Sequence, residues 1–214
     1  MKKIGLLLIG LIITIFANGQ IVKIQGGTSI SKLEWKLNDA VAFFEKTLIG
    51  YSIFAGIDYF DKQYFNFSSN IGMVRKGGKE KIQLFDQYGS PLNTLIEKAT
   101  LDYFSMNTTV DLKYRIKETI SPFISFGPRF DYLLNCNKHI DALRESDEFK
   151  STSIGLILGG GLKYDISNLQ FGLRADYYLD FTKIADWPIE NTESRGEVSV
   201  NTFTVNLTVG YKLK

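Results

Sequence analysis

The sequence predicts an all-β protein, an eight-stranded antiparallel up-and-down transmembrane β-barrel. Segments of about ten residues alternate apolar and polar side chains, as strands do when one face meets lipid. Tight and long connections follow one another in turn, the rhythm of strands that run up and down between the two sides of a membrane. Glycine collects on the polar faces of these segments, where a narrow barrel interior needs small residues between large ones.

The elements follow in order. The stretch "MKKIGLLLIGLIITIFANGQ" has a basic start, an apolar run from Ile4 to Phe16, and Ala17 and Gly19 in the spacing of a cleavage site. Residues 1–19 therefore read as a signal peptide, and the run is too short for a helix that spans a bilayer, which needs about 20 apolar residues. The barrel domain is expected over 20–214. Its strands are predicted at 21–33, 48–60, 64–75, 100–116, 120–134, 153–165, 169–182 and 199–213.

In the first strand Val22, Ile24, Thr28 and Ile30 alternate with Lys23, Gln25, Gly27 and Ser29. The fifth sets Ile120, Ile124, Phe126, Phe130 and Tyr132 against Ser121, Ser125, Gly127, Arg129 and Asp131. The sixth and seventh repeat the pattern, for example Leu158 and Leu162 against Gly159 and Lys163, and Leu173 and Tyr177 against Arg174 and Asp176. In the last, Phe203, Val205, Leu207, Val209 and Tyr211 occupy every second position. A long strand at a chain end needs a partner on both sides, and pairing with the first strand supplies one and removes every open edge. Residues 61–63, 117–119 and 166–168 are tight links, whereas 34–47, 76–99, 135–152 and 183–198 read as long polar loops.

Periodicity alone does not say which face is inside, and a soluble barrel with an apolar pocket would show the same alternation. Glycine separates the two. Gly27, Gly50, Gly56, Gly72, Gly127, Gly155, Gly159, Gly161, Gly172 and Gly210 share the polar face, and only Gly26 and Gly160 the apolar one. A solvated convex surface gains nothing from glycine, so the polar face points inward and the apolar face to lipid. The aromatic residues Phe65, Phe67, Tyr114, Tyr164, Phe171 and Tyr211 then form a girdle at the tight-turn end.

This orientation places charges in the lumen. The expected network comprises Asp111 with Lys113 and Arg115, Arg129 with Asp131, Lys163 with Asp165, and Arg174 with Asp176, with Phe123 and Tyr178 also available to cross the space. Unpartnered charges there would cost several kcal/mol each, so opposite signs must meet.

Composition excludes several functions. A net charge of +2 from 25 basic and 23 acidic residues, without a basic patch, gives no footprint for nucleic acid. The single cysteine, Cys136, with the single histidine, His139, is too little for a metal site, and no cofactor is expected. An enzyme of this fold would need His139 as a base beside Ser146, Ser151, Asp141 or Glu145, a mixture more typical of a solvated loop. The stretch "EWKLNDAVAFFEKT" places Trp35, Val41, Phe43 and Phe44 beyond the membrane, as a plug over the mouth or as a partner contact.

The segments "SPFISFGPRFDYLL", "SIGLILGGGLKYDI", "LQFGLRADYYLDFTKI" and "FTVNLTVGYKLK" resemble the PorT-like outer-membrane β-barrels of Bacteroidota. The shared elements are P-x-x-x-x-G-P, G-x-x-x-G-x-G-x-x-Y and G-Y-K, and the resemblance spans the whole mature chain. It implies an outer-membrane location, and for the founding member a part in assembling a protein secretion system. The expected function is thus a non-enzymatic, monomeric barrel with a filled lumen. It would sit in outer-membrane lipid and act through extracellular loops, with a protein partner there, in adhesion, scaffolding or envelope assembly. A narrow OmpW-like conduit for a small solute is the alternative, and a lipid A-modifying or protease-type enzyme the next.

Overall fold

The computed structural model describes residues 20–37, 41–116, 119–137, 140, 149–188 and 195–213. The expected leader, 1–19, lies outside them. The described chain forms strands β1 (Ile21–Leu37), β2 (Val41–Phe43), β3 (Lys46–Tyr59), β4 (Phe65–Phe85), β5 (Pro91–Lys113), β6 (Ile120–Cys136), β7 (Thr152–Ile166), β8 (Leu169–Asp180), β9 (Ala185–Pro188) and β10 (Arg195–Lys212). Eight are long, and each pairs antiparallel with its neighbours along the chain. The ring closes where β1 meets β10 over its full length, from Ile21 opposite Lys212 to Leu37 opposite Gly196. The short β2 and β9 add to the free edges of β1 and β10 where β3 and β8 have ended.

The faces are inverted relative to a soluble protein. Ile24, Ile124 and Leu207 are 65, 62 and 68% exposed, whereas Asp58, Lys76 and Asp111 are 0% exposed. This sorting follows from the period-two pattern, because a slip of one residue in any strand would put its aliphatic set into the lumen. Glycine lets the walls approach: a Cβ on Gly159 would lie 2.0 Å from an Asp176 carboxylate oxygen, and one on Gly161 2.0 Å from the Leu173 carbonyl. The tight connections gather at one end with Gln20 and Leu213, where Leu213 N–H donates to the Gln20 carbonyl. The aromatic girdle lies there too; Tyr59 stacks on Phe67 with ring centroids 6.0 Å apart, and Phe65 meets Phe67 edge-on.

One long connection differs from expectation. Residues 76–99, read as a polar loop, are mostly strand, because β4 and β5 continue as a hairpin past the ends of β3 and β6. Asp86 forms the turn: its carboxylate accepts the N–H groups of Tyr88 and Ser90, and Gly89 supplies the positive φ of +79°. Cross-strand contacts such as Thr94 Oγ1 to Gln83 Oε1 at 2.8 Å hold polar partners in register. The lysines and glutamates that suggest a loop sit directly opposite one another here, Lys79 with Lys98 and Glu80 with Glu97.

A second irregularity lies beside it. The β3–β4 register slips between Thr47 and Ser52, and the Arg75 carbonyl is taken by the Ser29 hydroxyl from β1 instead. Gly77 follows with φ +147°, a conformation that any Cβ would obstruct at 1.9 Å from the Ala99 carbonyl, and its N–H donates to Ser31 Oγ at 2.8 Å.

Candidate functional site

The lumen holds two ionic layers. In the layer nearer the tight turns, Lys23 Nζ sits 2.5 Å from Asp58 and 2.7 Å from Ser68 Oγ. Lys163 reaches across to Asp58 at 3.0 Å, Asp111 at 2.9 Å and Asn66 at 3.1 Å. Arg174 Nε meets Asp176 at 2.7 Å, its Nη1 lies 3.4 Å from Asp111, and its Nη2 donates to Ser125. Three cations thus face three carboxylates, which cancels the formal charge. The Phe123 ring fills the remaining width, 5.0 Å from Lys163 Nζ and 5.8 Å from the Arg174 guanidinium. The void left beside them is about 10 Å³, the scale of one water molecule.

A neutral belt follows, in which Gln25 donates to Asn70, Asn70 to Asn107, and Ser52 to Asn206. Above it lies the second ionic layer. Lys76 Nζ pairs with Asp131 at 2.7 Å and Asp180 at 3.4 Å, while Arg129 pairs with the same two carboxylates. Two cations meet two anions, and Tyr178 lies under Arg129 with its ring 4.3 Å from the guanidinium. Nearer the long-loop end the lumen turns apolar: Leu33, Leu101, Leu133, Ile140, Ile184, Val198 and Val200 are buried together, with Trp35, Phe44, Phe149 and Trp187 packed against them. Trp35 stacks on Phe44 at 6.2 Å. The mouth is therefore stoppered by its own side chains.

The partners differ from the neighbour pairs expected along each strand. Arg129 with Asp131 and Arg174 with Asp176 do meet. Lys163, however, takes Asp58 and Asp111 from across the lumen, and Asp165 takes Lys212 at 3.1 Å. Asp111 is held by Lys163 and Arg174, leaving Lys113 to pair with Asp61 at the tight-turn end, where the exposed Arg115 approaches the same carboxylate at 3.9 Å. The cause is reach: strand neighbours two apart run parallel, whereas long side chains from opposing walls of a narrow barrel converge. Lys23, Asp58, Lys76 and Asp180 belong to the network although the neighbour rule did not select them. Lys23 and Asp58 share the parity of the inward glycines, Asp180 that of Arg174 and Asp176, and Lys76 follows directly on its predicted strand.

His139, Asp141, Glu145 and Ser146 lie outside the described residues, as does the side chain of Val41. Cys136 packs against the apolar stopper. Among the described residues there is no group of three His, Cys, Asp or Glu side chains placed to hold a metal.

Residues 7–186 match the family model described as "Outer membrane protein beta-barrel domain". The chain belongs to this family. Its strands thus cross the outer membrane. Among solved structures the barrel is similar to OprG of Pseudomonas aeruginosa, with TM-score 0.52 and 12% identity over 91% of this chain and 96% of that one. It is similar also to Neisserial surface protein A, with TM-score 0.50 and 13% identity over 90 and 97%. Ail, the attachment invasion locus protein of Yersinia pestis, aligns with TM-score 0.44 and 14% identity over 92 and 99%. No curated protein sequence matches the chain.

Proposed function

We propose that this outer-membrane barrel is a non-enzymatic member of the PorT-like group of Bacteroidota and works through its extracellular side. Adhesion, scaffolding or assembly of the envelope and its secretion machinery is then its role. One observation carries the reading: the lumen is filled by two charge-balanced layers and an apolar stopper, so the exposed chemistry lies beyond the mouth. There the hairpin of β4 and β5 rises past its neighbours with Ile82, Leu84, Phe85, Tyr88, Leu92 and Ile96 exposed. Apolar side chains held in water on a paired arm gain free energy when a partner covers them.

A photo-crosslinking residue at Tyr88, which is 84% exposed, tests this in intact cells. The expected result is a discrete protein adduct at Tyr88 and Phe85 that is absent when the probe sits at lipid-facing Leu158. Lipid adducts alone at all three positions would overturn the reading.

A further inference from the structure

Small residues dent the lipid-facing wall on one side of the barrel. Ala55 stands opposite Ile24, and around Gly26 nothing lies within 4 Å of where a Cβ would be. The resulting groove has a volume of about 790 Å³ and is walled by Ile53, Ile71, Met73 and Leu207. Directly above Met73 on the same outward face, Arg75 forms a two-pronged ion pair with Asp102 at 2.7 and 2.8 Å and lies over the Tyr51 ring at 4.9 Å. The run of β4 from Phe65 to Arg75 climbs about 25 Å at ordinary strand rise and tilt, the height of the apolar band of such barrels. Arg75 therefore marks the outer interface, and the groove lies beneath it among acyl chains.

Above that level the register aligns lysines. Lys46 pairs with Lys79, and Lys79 with Lys98, so three cations from β3, β4 and β5 stand in one row across adjacent strands. Lys32 of β1 shares the outward parity of Ile24 and Ile30. None of these four makes an ion pair among the described residues, whereas nearby Lys36 and Lys183 are both held by Glu197. Of the acids nearby, Glu45 makes no ion pair among the described residues, and the Glu80 carboxylate is turned to the Phe44 N–H. Like charges directly opposite one another repel, and a row of lysines without ion-pair partners at headgroup height invites an anion.

We propose that this face binds a multiply phosphorylated lipid of the outer leaflet, with an acyl chain in the Gly26–Ala55 groove and phosphates on Lys46, Lys79 and Lys98. The three strands that carry these lysines span about 10 Å, wider than a single phosphate but matched to a headgroup that carries two. An ordinary phospholipid would satisfy the groove and leave most of the row unpaired. This inference uses only the membrane-facing wall and stands apart from the extracellular-partner reading.

The test uses the purified barrel in detergent micelles with bisphosphorylated lipid A, its dephosphorylated form, phosphatidylglycerol and inorganic phosphate as probes. Native mass spectrometry and titration should show lipid A retained in preference to the other two lipids, and undisturbed by millimolar phosphate. The triple variant Lys46→Gln/Lys79→Gln/Lys98→Gln should bind it on the order of a hundredfold more weakly, about fivefold per lysine near a charged headgroup. Ala55→Leu keeps every lysine and fills the groove; it should weaken binding without changing its salt dependence. A heat-dependent mobility shift verifies folding of each variant. Equal retention of all three lipids, an unchanged triple variant, or displacement by inorganic phosphate would each overturn the proposal.

Discussion

Arg129 shows how much depends on one side chain in this lumen. It is 2% exposed and shares Asp131 and Asp180 with Lys76, so Arg129→Ala leaves two carboxylates with one ammonium group in a water-poor space. Removing one partner from a buried pair costs about 3–5 kcal/mol, because the surviving charge stays desolvated. Urea unfolding of the variant in lipid should show a loss of that size. Lys36→Ala, whose contacts to Glu34 and Glu197 are long at 3.7 and 3.9 Å and whose side chain is 43% exposed, should change stability by less than about 1 kcal/mol. The sequence makes the inward parity of Arg129 and Arg174 legible, because parity is local. It does not show that Lys163 seeks Asp58, a residue 105 positions away, because that contact depends on barrel radius and strand stagger.

At the scale of the strand, the inside and outside faces are the quantity to test. Leu158 and Leu173 lie at mid-strand on the outer face of β7 and β8, 46 and 48% exposed to the surroundings. Arginine at either should destabilise the barrel by about 2–4 kcal/mol in a bilayer. Equal stability of these variants and the parent in lipid-based unfolding would contradict the assignment of faces. Six of the eight predicted strands match the observed ones to within about four residues at both ends, because hydrophobic alternation sets their limits, whereas β4 and β5 run about nine or ten residues further into the hairpin. The last begins earlier than predicted, where Arg195 and Gly196 extend β10. The hairpin beyond Lys76 is not legible in the sequence, since polar and apolar side chains alike are exposed along it and no sustained alternation marks its strands. Its strands exist because the turn at Asp86 and the barrel below align two chains already in register. Replacing residues 82–95 by a short turn should therefore leave the heat-dependent mobility shift of the barrel intact, while removing any adduct formed through Tyr88.

For the whole molecule, closure and occlusion belong together. Eight strands enclose a space about as wide as the side chains that fill it. Here the filling is arranged in neutral layers, each balanced on its own, and capped by the apolar cluster around Leu33, Leu101 and Val198. A solute crossing this barrel would have to break both ion-pair layers and displace the stopper. The outer surface, by contrast, carries an exposed hairpin arm and a grooved wall topped by lysines. Planar-bilayer conductance of the purified wild-type barrel tests this account most directly. It predicts a silent membrane under applied voltage, and steady ion-conducting openings of the wild type would contradict it.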